Sequence, residues 1–80
     1  MNRRKDGRAM TFYEAFEIAL DRKGMKAADI CVKTGIHSSY FSKLKSGHMK
    51  DPTWEKALAI INALGMTPDE FYALQMGNER

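Results

Sequence analysis

Glycine cuts this chain into short pieces. Gly24, Gly35, Gly47 and Gly65 each close a run whose apolar residues recur every three or four positions, and glycine most readily takes the left-handed turn that ends a helix. That rhythm restricts the chain to a few short helices, none long enough to be stable alone. With 80 residues in all, the surface-to-volume relation leaves one thin core, so each helix must present one apolar face to a shared centre. No period-two alternation, internal repeat or low-complexity tract breaks the pattern.

The start signals agree with the stops. Thr11-Phe12-Tyr13-Glu14 reads as a capping box, in which Thr11 accepts the N–H of Glu14 while Glu14 caps the N–H of Thr11. Phe12, Phe16, Ala19 and Leu20 then form one face that runs to Gly24. Met25 to Gly35 predicts a short second helix with Ile30 and Cys31 facing inward and Asp29 near the positive end of its dipole. A third helix follows from His37 or Ser38 to Ser46, with Phe41 and Leu44 as its inward pair. After the loop Gly47–Pro52, Thr53 caps a fourth helix whose apolar residues are Trp54, Ala57, Leu58, Ile60, Ile61 and Leu64. Thr67-Pro68-Asp69-Glu70 is a second capping box with proline at the permissive first position, and it opens a fifth helix through Phe71, Tyr72 and Leu74. The expectation is an all-α, compact five-helix domain over residues 11–76, with a flexible basic arm at 1–10 and a tail at 77–80.

Charge is distributed unevenly. The formal net charge is +3, but residues 1–10 carry Arg3, Arg4, Lys5 and Arg8 against Asp6, residues 25–50 are also strongly basic, and residues 51–80 are acidic. A molecule with that polarity suits one face to a polyanion. No apolar run approaches the roughly 18 to 20 residues that span a bilayer, and the basic N-terminus leads into no signal-peptide core, so a cytoplasmic protein is expected. The single cysteine, Cys31, has no partner for a disulfide and reads as a small buried residue. His37 and His48 lack a Cys or second His at metal-ligand spacing, and no nucleophile, base and orienting carboxylate fall together, nor does a phosphate-binding glycine loop appear. Neither an enzyme, a metal site, a cofactor nor a small-molecule substrate is expected.

The informative stretch is the helix pair joined through Gly35, Ala27-Ala28-Asp29-Ile30-Cys31-Val32-Lys33-Thr34-Gly35-Ile36-His37-Ser38-Ser39-Tyr40-Phe41-Ser42-Lys43-Leu44-Lys45-Ser46. A tight turn at Gly35 sets two helices at a steep angle, with a small residue at Cys31 where they cross and Ile30, Ile36, Phe41 and Leu44 pinning both to the core. The outward residues of the third helix, Ser38, Ser39, Ser42 and Lys43, are short hydrogen-bonding groups plus one long cation, which can reach base edges without holding the helix away from DNA. Tyr40 could meet a sugar-phosphate or a thymine methyl, or pack on the surface.

From about Thr11 to Leu74 the chain resembles the lambda/434 repressor and Cro-like helix-turn-helix family. The resemblance rests on an ordered set: Gly24-Met25, the turn Gly35-Ile36, Phe41-Ser42-Lys43-Leu44 followed by Gly47, Pro52 before the fourth helix, and Ala63-Leu64-Gly65-Met66-Thr67 before the fifth. It implies a lambda repressor-like five-helix domain whose third helix enters the major groove of double-stranded DNA. Ser38, Ser39 and Lys43 match base-touching positions, with Lys43 aimed at guanine O6 and N7. Lys26, Ser46, His48 and Lys50 are the expected phosphate contacts, with the N-terminus at Ala27, His37 and Lys45 beside them. Three departures stand out. Ala27 replaces a glutamine that often grips a phosphate, and His37 replaces a Ser or Thr cap, so that Ser38 either caps in its place or reads a base. Leu20 and Lys45 replace an Arg–Glu pair that the family commonly buries, which avoids a lone buried charge and frees Lys45 to point outward.

These readings lead to a sequence-specific transcriptional regulator, a repressor bound as a homodimer on two half-sites, in a nucleoid-associated, prokaryotic or phage-like setting. Phe71 and Leu74 are expected to close the core, and Tyr72 and Met76 to pair two copies. The arm residues Arg3, Arg4, Lys5 and Arg8 either lie along phosphates or stay in solvent. The alternative is an antitoxin-like or other protein-interaction module on the same fold.

Overall fold

The computed structural model describes residues 10–77. The arm cations Arg3, Arg4, Lys5 and Arg8, and residues 78–80 of the tail, therefore lie outside the described residues. Five helices follow in order: α1 (Phe12–Lys23), α2 (Ala27–Thr34), α3 (Ser38–Ser46), α4 (Trp54–Ala63) and α5 (Pro68–Met76). Among the described residues there is no strand.

Each boundary follows from local chemistry. Thr11 Oγ1 accepts the Glu14 N–H at 3.1 Å, and Glu14 Oε1 accepts the Thr11 N–H at 2.9 Å. Thr67 and Glu70 repeat the same pair at 3.1 and 2.9 Å. At the other end of α1, Gly24 takes φ +65° and the Met25 N–H reaches back to the Leu20 carbonyl at 2.9 Å, which uses up orphan carbonyls of the last turn. That turn consumes Met25, and the Asp29 carboxylate accepts the Lys26 N–H at 2.9 Å. The second helix consequently starts at Ala27, two residues later than the sequence pattern indicates.

The core is a single cluster. Phe16, Phe71, Ile30, Ile60 and Leu64 are the largest fully buried side chains. Phe12 meets Phe71 with ring centroids 4.8 Å apart, and Phe16 stacks on Phe41 at 5.2 Å and 17°. One helix face thereby ties α1 to both α5 and α3. Removing a ring of this kind costs roughly 3 to 5 kcal/mol, a large share of what so small a domain holds. The remaining packing runs from α2 to α3 and α4, and from α4 to α5. α3 is thus supported from behind by α1 and α2 while its opposite face stays open.

Three expectations are corrected here. Trp54 is 69% exposed. It lies on the stripe of Ala57 and Ile61, but at the first position of α4, where it borders an open groove shared with α1 and α5. Phe71 and Leu74 close the core as expected, and Tyr72, expected on the outside, is 63% exposed. Cys31 is half-buried: it packs against the core but also lines a groove shared by α1, α2 and α3. Met10, counted with the arm, belongs to the fold. Its N–H donates to the Gln75 carbonyl at 3.1 Å, Gln75 Nε2 donates to the Met10 carbonyl at 3.1 Å, and its side chain packs on the core.

Candidate nucleic-acid interface

The turn that joins α2 to α3 is built from three residues. Gly35 takes φ +78°, and its N–H donates to the Cys31 carbonyl at 2.8 Å. Thr34 closes the corner: its hydroxyl donates to the Ile30 carbonyl at 2.7 Å and accepts the Ile36 N–H at 3.1 Å. A Cβ on Gly35 would meet nothing within 4 Å, so glycine is required there for its backbone angle alone.

His37 is the N-cap of α3. Its Nδ1 accepts the Ser39 N–H at 3.0 Å, with Ser39 Oγ also 3.0 Å from the same nitrogen. Ser38 does not cap, and its hydroxyl is left for other partners. An Nδ1 that accepts has no hydrogen, so the neutral ring carries its proton on Nε2, on an exposed residue.

Phe41 and Leu44 are buried and fix which way α3 faces. At 3.6 residues per turn, the face opposite them carries Ser39, Ser42, Lys43 and Ser46, all exposed. Ser38 and Lys45 flank that face on the side of α1 and α2. Together with Ser42 they border a groove of about 280 Å³ that also touches Tyr13, Ala27 and Cys31. Tyr13, which sequence reasoning passed over, sits one turn before Phe16 at the margin of the apolar face of α1. Burial first, and the Glu17 carboxylate second, raise its phenol above the ordinary 10.0.

Tyr40 flanks α3 on the other side and does structural work. Its hydroxyl accepts the Thr53 N–H at 3.1 Å, its ring meets Phe41 edge-on at 6.2 Å, and the Lys56 ammonium lies 5.5 Å from its centroid. It joins α3 to the start of α4. Beyond α3, the Met49 N–H returns to the Lys43 carbonyl at 3.1 Å, and Ser46 Oγ lies 2.8 Å from His48 Nδ1. The loop holding His48 and Lys50 is thereby drawn against the end of the helix. At α2, Lys26 and the Ala27 N-terminus stand at the opening of the helix, but the Asp29 carboxylate already occupies part of its positive end. Leu20 packs on the core and Lys45 is exposed, so neither position leaves a buried charge.

The exposed groups of α3, the cations that bracket it and the sharp α2–α3 turn define a helix-turn-helix DNA-binding domain. Residues 16–76 match the Cro/C1-type HTH DNA-binding domain family, and the chain belongs to that family. Comparisons with curated proteins and with solved structures give no significant match. Among the described residues no three His, Cys, Asp or Glu side chains gather to hold a metal ion. No helix there is long and apolar enough to cross a membrane.

Proposed function

We propose that the chain is a sequence-specific regulator that reads the major groove of double-stranded DNA with α3 and acts as a repressor by occupying its operator. The observation that carries this reading is the open face of α3, where Ser39, Ser42 and Lys43 project from a helix locked behind by Phe41 and Leu44. Its residues are small enough for close approach, and α3 contains no carboxylate to repel phosphate. Lys43 donates to guanine, while the serines, Ser38 included, pair with base edges in either sense. Lys26, Lys45, Ser46, His48 and Lys50 hold the flanking phosphates, joined by the Ala27 N-terminus and the His37 Nε2–H. Tyr40 contributes by setting the angle between α3 and α4 rather than by reading a base.

One α3 covers only a few base pairs, so useful specificity calls for two copies on half-sites about 10 bp apart. Exposed Met76 and Tyr72 on α5 supply the surface for pairing. Such a protein works inside the cell, on a prokaryotic or phage genome. Selection of bound sequences from random DNA, then titration of the winner at several salt concentrations, tests the reading. A two-fold symmetric sequence should emerge; failure to enrich any sequence over non-specific binding would sink it.

A further inference from the structure

Away from α3, Trp54 of α4 and Tyr72 of α5 line one groove of about 360 Å³, floored by core side chains that include Phe12 and Phe71. Two large aromatic residues this exposed on a small domain call for an occupant. Asp51 and Asp69 line the same groove, and residues 51–77 hold one cation, Lys56, against Asp51, Glu55, Asp69 and Glu70. The Lys56 ammonium lies over Tyr40 instead. Aromatic faces beside carboxylates are the surroundings that suit a guanidinium, which stacks on a ring and pairs in-plane with an acid.

Charge decides between occupants. A second copy meeting this face about a two-fold axis would set acid against acid. The segment before Met10 has the opposite character, with Arg3, Arg4, Lys5 and Arg8 against Asp6. It also starts in the right place, because Met10 is bonded in both directions to Gln75, and Gln75 lines the groove. Nine residues reach up to about 30 Å when extended, and a tether that short acts like a millimolar ligand.

We propose that residues 1–9 dock in the groove between α4 and α5, with an arginine guanidinium against Trp54 and Tyr72 and held by Asp51 and Asp69. Docked there, the arm covers the apolar floor and its cations are withheld from phosphates. Met76 is outside the groove and remains for pairing, and docking of the arm withdraws Tyr72 from that pairing surface. This proposal stands apart from operator reading and is tested without DNA.

Trp54 is the one tryptophan of the chain, so its fluorescence reports on the groove directly. Acrylamide quenching is measured on the full chain, on a triple variant Arg3→Ala, Arg4→Ala, Arg8→Ala, and on a double variant Asp51→Asn, Asp69→Asn, each across a wide range of protein concentration. Both variants should raise the quenching constant about twofold, as expected when one face of an indole passes from covered to open. Helicity by circular dichroism should stay unchanged, since the altered acids are exposed. Equal quenching in the full chain and the arginine variant would overturn the proposal. Protection that grows with protein concentration would also overturn it, by giving the groove to a second copy.

Discussion

His37 shows how one side chain can serve two ends. Its Nδ1 closes the first turn of α3, which leaves its Nε2–H directed away from that bond. Replacing His37 by Ala should lower stability by about 1 kcal/mol, the usual cost of a lost N-cap, whereas His37→Asn should restore most of it; urea unfolding of the three proteins checks both. In the proposed function, Lys43 is the residue on which specificity turns. Lys43→Ala should cost about 1 to 3 kcal/mol on the preferred sequence and flatten the preference at one base pair, measured by titrating a set of single-site operator variants. Tyr13 gives a test at high pH. Its phenol is raised in the folded state, so above about pH 10 the unfolded chain gives up this proton while the folded chain keeps it. The unfolded state then binds fewer protons, and stability falls as pH climbs from the unfolded to the folded pKa, with no effect below that window. Tyr13→Phe should lose this part of the alkaline decline, so the stability difference between the two proteins should change only above about pH 10.

Among elements, α3 is held by Tyr40 as well as by its own buried pair. Tyr40→Phe keeps the ring packing but removes the acceptor of the Thr53 N–H, and about 0.5 to 1.5 kcal/mol of stability should go with it. Because that bond aligns α3 with α4, operator affinity should drop further than stability alone predicts, read by binding at a temperature where both proteins are fully folded. The sequence pattern marks helix ends well where the signal is an i, i+3 exchange: both capping boxes and the bounds of α3 stand where Thr11, Thr67 and Gly47 put them. It fails where the outcome depends on what lies across the molecule. Trp54 sits on an apolar stripe, and only the absence of a covering helix exposes it. Whether His37 or Ser38 caps α3 depends on which of them leaves the helical backbone, and His37 does so at ψ 147°; the role of Tyr40 depends on the position of Thr53, thirteen residues away. The outward face of α3, on which the proposed base and phosphate contacts lie, was legible because Phe41 and Leu44 mark its inward side.

At the scale of the whole molecule, opposite charges are gathered at separate places. The segment 25–50 is basic around α3, and 51–77 is acidic around α4 and α5, so the domain should meet DNA in one orientation before any base is read. Binding should weaken steeply with salt, by about 0.9 in log–log slope per phosphate neutralised. Lys50→Ala should reduce that slope by about one and weaken all sequences alike, in contrast to Lys43→Ala; filter binding or anisotropy over a salt series separates the two.

The two bonds between Met10 and Gln75 bring the beginning and the end of the fold to one point. In topological terms the domain is almost a ring. A few residues joining Gly77 to Met10 would close it, and the ring could be reopened at the turn after α4 without parting α2 from α3. Whatever is fused before residue 10 or after residue 77 leaves from the same corner, so two different attachments there would compete for the same space.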